Sequence, residues 1–225
     1  MSLITDFIRE LSIKKYCRFK SRPFFYGFLS NLKNLVKLSV ENNTKQIISI
    51  IDALLMSKCE SIFDLQLNFD KFYNFDNLAL FLTKQKKLRV LKLLNIILDE
   101  KLMKSIEVEF LEELHLKIWN AYSCLSVLNL LYRFKKLQVF SFHGIDDVKD
   151  FEALVEPINK NVKLIEIAYN NDMSLDEPMR SFSRLQSLET FKLYGDVRIG
   201  PIMDNVITSL SLCKNLKKLN LNFKL

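Results

Sequence analysis

The residues able to do chemistry are few and scattered along this 225-residue chain. His115 and His143 are its two histidines, and Glu113 stands near the first. On neighbouring strands about 4.8 Å apart, their two-residue offset would leave the histidine Cα atoms about 8 Å apart. A zinc-like site needs a third ligand at clear spacing and partners that orient the imidazoles; neither is evident. No metal or cofactor is expected. Cys17, Cys59, Cys124 and Cys213 lack C-x-x-C spacing. Gly27, Gly144, Gly195 and Gly200 form neither G-x-G nor G-K-S/T, which disfavours phosphate-cradling loops. The chain has no G-x-S-x-G, no H-E-x-x-H and no Cys–His pair in a recognisable context. A non-enzyme is the expectation.

The basic N-terminal stretch offers a different chemistry. Lys14, Lys15, Arg18, Lys20 and Arg22 interleave with Tyr16, Phe19, Phe24, Phe25, Tyr26 and Phe28. Residues 1–34 hold seven basic and two acidic side chains, the remainder 26 and 24. Interleaved cations and rings can hold RNA or another polyanion, with bases stacked and phosphates paired. The competing reading has the aromatics filling the first core layer while the cations face water.

Composition bounds the rest. Apolar residues make up 49% of the chain, with a formal charge of +7 and only four Gly and four Pro. That excludes a disordered or collagen-like chain. Asp6, Arg9 and Glu10 break the apolar run a signal peptide needs, and no stretch reaches the length of a membrane helix. A reducing compartment, cytosol or nucleus, is expected from the cysteine usage.

What must position these residues is a repeated phrase. Leu35-x-x-Leu38-x-Val40-x-x-Asn43 is followed by Ile62-x-x-Leu65-x-Leu67-x-x-Asp70. Copies start again at 88, 111, 137, 162, 188 and 216, at intervals of 23 to 28 residues. A weaker copy is Ile8-x-x-Leu11-x-Ile13. Its second and third apolar positions are two apart, so both face one side of a strand. Between phrases the spacing turns helical. Thr44 to Ser57 aligns Ile47, Ile50, Ile51, Leu54 and Leu55, and the stretches Tyr122 to Phe134 and Asp150 to Asn159 show similar stripes. Pro178 and Pro201 stand where helices would begin. Gly144 and Gly195 share a repeat position where the chain must turn. Cys59 and Cys213 occupy a position held elsewhere by Leu32, Val108, Phe134 and Leu185, so they are expected to be buried and inert.

The phrase resembles the leucine-rich repeat family, L-x-x-L-x-L-x-x-N/C, over nearly the whole chain. The period near 26 resembles the ribonuclease-inhibitor-like and cysteine-containing classes. The resemblance implies an α/β solenoid, or horseshoe, with a concave parallel sheet and convex helices, as one domain over 1–225. Residues 1–34 would form a basic, aromatic N-terminal repeat or cap, and 35–225 eight repeat phrases. The family's turn Asn survives at Asn43 and Asn170, with Asp70 and Asp196 as substitutes. Ile96, Trp119, Ile145 and Lys224 depart from it, and Asn95 and Asn120 stand one residue aside to serve two of those turns.

The outward strand positions then predict a partner face: Val90, Lys92, Leu94, Glu113, His115, Lys117, Val139, Ser141, His143, Leu164, Glu166, Lys192 and Tyr194. Val90, Leu94, Val139 and Leu164 are expected to form an apolar cluster in a polar rim, as protein-binding surfaces do. The expected function is a non-catalytic scaffold for a protein partner. An alternative is a subunit of a larger assembly, a ubiquitin-ligase substrate receptor or ribonucleoprotein, with the basic end on RNA or an acidic partner; no F-box fits in the first 34 residues. A GTPase-activating role is the remote alternative, and no residue matches that family's motif. Only four residues follow the last phrase, so further chain, a second copy or a partner is expected to cover an end.

Overall fold

The computed structural model describes residues 5, 7–14, 22–70, 76–106, 109–118, 131–145, 158, 161–169, 184–195 and 202–223. The chain forms two compact units, Met1–Leu111 and Glu112–Leu225.

The first unit holds strands β1 (Glu10–Ile13), β2 (Lys37–Asn42), β3 (Asp64–Phe69) and β4 (Val90–Ile96). They pair in parallel and in chain order. Its helices are α1 (Arg22–Leu29), α2 (Thr44–Met56), α3 (Asp76–Lys84) and α4 (Glu100–Ser105). The second unit holds β5 (Glu113–Ile118), β6 (Val139–Ile145), β7 (Leu164–Tyr169), β8 (Thr190–Gly195) and β9 (Lys218–Phe223), again parallel and in order, with helix α5 (Ile202–Ser211). Each unit is thus an α/β array of parallel strands in chain order, the arrangement that the resemblance to leucine-rich repeats implies.

The register follows the phrase. Leu11 pairs with Leu38, Leu38 with Leu65 and Leu65 with Leu91; Leu114, Phe140, Ile165, Phe191 and Leu219 do the same in the second unit. From β2 to β8 both strand positions of the phrase are at most 1% exposed. Leu219 breaks the pattern at 42%. A one-residue slip would turn every one of these side chains to water, so the apolar alternation holds the register.

A second ladder runs through the segments that lead into the strands. The Arg9 carbonyl accepts from the Val36 and Lys37 N–H groups, Val36 from Phe63 and Asp64, and Phe63 from Arg89 and Val90. In the second unit Glu112, Gln138, Lys163 and Glu189 carbonyls each accept two N–H groups from the next repeat, at 2.8–3.1 Å. Lead-in side chains are thereby locked at strand spacing.

Helix α2 buries Ile47, Ile50, Ile51 and Leu54, while Leu55 is half-buried. Asn43 caps it by accepting from the Gln46 N–H at 3.0 Å. Asp70 reaches back one repeat and accepts from the Thr44 N–H and hydroxyl at 2.7 and 2.8 Å. Asn95, at φ 60°, donates to the Phe69 carbonyl at 3.0 Å, so both expected turn substitutes serve the turn of the preceding repeat. Asn120, Asn170, Pro178, Asp196 and Pro201 lie outside the described residues, as do most of the two later helical stripes; α5 begins at Ile202. Gly144 differs from its expected place after the strand. It lies within β6 at φ +121°, where the register shifts between His143 and Ile145. A Cβ there would overlap the Ile118 carbonyl. Gln85 is fully buried, donating to the Cys59 carbonyl at 2.8 Å and accepting from the Ile62 N–H at 3.2 Å, which ties two repeats through one amide.

Candidate binding face

Residues that alternate with the buried pairs point away from the core. In the second unit they stack in register as His115, Ser141, Glu166, Lys192 and Asn220. Lys117 stands opposite His143, which stands opposite Ala168 and then Tyr194.

Glu166 is the hub of this face. Its carboxylate contacts His143 Nε2 at 3.2 Å and accepts from Lys192 Nζ at 2.9 Å. The His143 hydrogen bond, then the Lys192 ammonium, outweigh partial burial and hold the Glu166 carboxyl down at about 2. The same bond raises the Lys192 ammonium. The His143 and Tyr194 rings lie 6.4 Å apart, tilted. One step away, His115 Nε2 approaches Glu113 at 3.5 Å. The two histidines therefore pair with different carboxylates instead of converging. Among the described residues no three His, Cys, Asp or Glu side chains could hold a metal ion.

Val139 and Leu164 are half-buried and directly opposite each other. Ser141 lies beneath its neighbours, 4% exposed, and forms a floor instead of a contact. Lys117 is exposed. Val90, Lys92 and Leu94 belong to β4 of the first unit; Val90 stands opposite Asp64 and Leu94 opposite Asn68. There the structure joins Lys92 and Leu94 with Lys14, Glu41, Gln66 and Asn68 around a shallow hollow of about 170 Å³. Lys37 meets Asp64 at 3.2 Å, and Asp64 accepts from Gln66 at 2.9 Å. Spacing alone did not single out Glu41, Gln66 or Asn68, although they occupy the same outward columns.

Of the N-terminal cations, Lys14 is exposed, Arg22 opens α1, and Lys15, Arg18 and Lys20 lie outside the described residues. Among the described side chains of α1 only Leu29 is buried; Phe24 is 59% exposed, and Phe25, Tyr26 and Phe28 are half-buried. These aromatics fill the core less than the packing expectation required. Cys59 and Cys213 are buried, and burial raises both thiols. Among the described residues no helix is long and apolar enough to cross a membrane.

No family model matches the chain, and no curated protein does. Among solved structures it is similar to one titled as a TLR13–ssRNA13 complex, at 15% identity and a TM-score of 0.43. The match covers 88% of this chain and 34% of that one, so this chain spans about a third of its neighbour's length.

Proposed function

We propose that the protein is a non-catalytic interaction module that binds a folded protein partner on the outward face of its sheet. The observation that carries this reading is the fixed array of His143, Glu166 and Lys192 beside the apolar Val139–Leu164 pair. These side chains hold one another in place before any partner arrives, which lowers the ordering entropy lost on binding. The apolar pair supplies a desolvated centre and the charged groups a polar rim. In the first unit, Lys92 and Leu94 line a separate hollow with a similar mix of charged and apolar side chains. The repeat period supports the ribonuclease-inhibitor-like or cysteine-containing class, and cysteines without C-x-x-C spacing suit the cytosol or nucleus.

The test is affinity capture with wild-type protein and the Val139→Asp/Leu164→Asp variant. Both positions are half-exposed, so the variant should keep the wild-type circular dichroism spectrum. The expected result is a protein recovered by the wild type and lost with the variant. Equal recovery by a folded variant would remove this face from the reading.

A further inference from the structure

Among the described residues of the second unit, exposed cations gather in the segments that lead into the strands. Arg133, Lys135 and Lys136 precede β6, Lys163 precedes β7, and Lys214 and Lys217 precede β9; all six are exposed. The described acidic residues in these lead-in segments are Glu112 and Glu189, and Glu189 is engaged by Lys217 at 3.0 Å. The near balance of charge across residues 35–225 therefore hides a basic ridge.

The lead-in ladder makes this ridge a fixed object. Lys163 offers its carbonyl to Glu189 and Thr190 and takes that of Gln138, so the segment cannot drift from its neighbours. The amide of Asn161 donates to the Lys135 carbonyl at 3.3 Å. Lys135, Lys136 and Lys163 line a polar hollow of about 360 Å³ together with Glu112, Gln138, Asn161 and Ser187. Three repeat steps at about 4.8 Å span roughly 15 Å from Lys136 to Lys217, enough for about four nucleotides. Tyr132, 65% exposed, directly precedes Arg133 in the segment that leads into β6.

We infer that this ridge binds single-stranded nucleic acid, with the lysines on phosphates, the amides on sugar or base edges and Tyr132 stacked on a base. An ammonium row alone would suit any polyanion. The exposed ring and the amide-lined hollow favour a ligand that carries π-faces as well as charge.

The test is fluorescence anisotropy of a fluorescein-labelled 15-mer oligothymidylate with the full chain. Four neutralised phosphates at about 0.7 each predict a roughly 50-fold loss of affinity between 50 and 200 mM salt. Lys135→Ala/Lys136→Ala/Lys163→Ala should cut that salt effect to roughly three-fold. Tyr132→Ala should weaken binding at least five-fold and leave the salt slope unchanged. All four side chains are exposed, so the melting temperature should hold; Lys214→Ala/Lys217→Ala is a second variant on the same ridge, expected to lower the slope. Absence of binding at 50 mM salt would overturn the inference. So would a labelled 15-mer polyglutamate that binds as tightly with no effect of Tyr132→Ala, which would assign the ridge to an acidic protein. Loss of binding only on changing Lys14, Lys15, Arg18, Lys20 and Arg22 to Gln would overturn it in favour of the N-terminal stretch.

Discussion

Replacing Glu166 by Gln keeps the shape of the hub and removes its charge. A carboxyl held at about 2 against its ordinary 4.5 corresponds to a ceiling of about 3.4 kcal/mol, at 1.36 kcal/mol per unit. The side chain is 21% exposed on a solvated face, so screening reduces the expected loss to about 1–1.5 kcal/mol. The raised Lys192 ammonium describes the same bond from its other end and adds nothing further. The sign follows from a depressed acid: the contribution is complete above about pH 4.5 and is lost as pH falls through about 2. About two fifths of it survives at pH 3. Urea denaturation of wild type and Glu166→Gln at pH 7 and pH 3 should show a stability gap that narrows to about 0.5 kcal/mol at the lower pH. At pH 7 the variant should melt roughly 3 °C lower. A gap below 0.3 kcal/mol at pH 7, or one unchanged at pH 3, would refute the assignment of Glu166 as the electrostatic centre of the face.

Three further outcomes follow from the fold. Gly144→Ala should cost about 2–4 kcal/mol in denaturant titration, because φ +121° and the Ile118 carbonyl both oppose a Cβ; Gly27→Ala, with open space around it, should be neutral or stabilising. Asp70→Ala should cost about 1–2 kcal/mol, and a double-mutant cycle with Thr44→Val should show coupling, since one carboxylate oxygen serves both the Thr44 N–H and its hydroxyl. Cys59 and Cys213 should resist a thiol reagent in the native protein at pH 7.5 and react on unfolding, and mass spectrometry of labelled peptides would show it.

The strands were legible because their information is local. Two apolar residues two apart, repeated near every 26 residues, gave each strand, its buried face and its partner in the register, down to the weak copy at Leu11 and Ile13. The roles of Asp70 and Asn95 were legible for the same reason: each occupies or adjoins one fixed slot of the phrase. Side-chain groupings that cross repeats were not. Glu166 meets His143 and Lys192 across 23 and 26 residues of chain, and nothing in the spacing says which neighbour a carboxylate will choose. Gln85 reads as a polar helix-end residue until its partners Cys59 and Ile62 are seen. The basic ridge was hidden for a related reason. Its lysines come singly or in pairs along a stretch whose acidic residues nearly match the basic ones in number, so counting charge along the chain averages them away.

The paired N–H groups on each lead-in carbonyl also give the array a direction. Taking away a repeat from the C-terminal side of another merely returns one carbonyl to water. Taking away a repeat from the N-terminal side strips two amides of their acceptor at once. Unzipping is therefore easier from the far end than from the near one, and a pull on the two termini should peel repeats in that order, the last-made units yielding first.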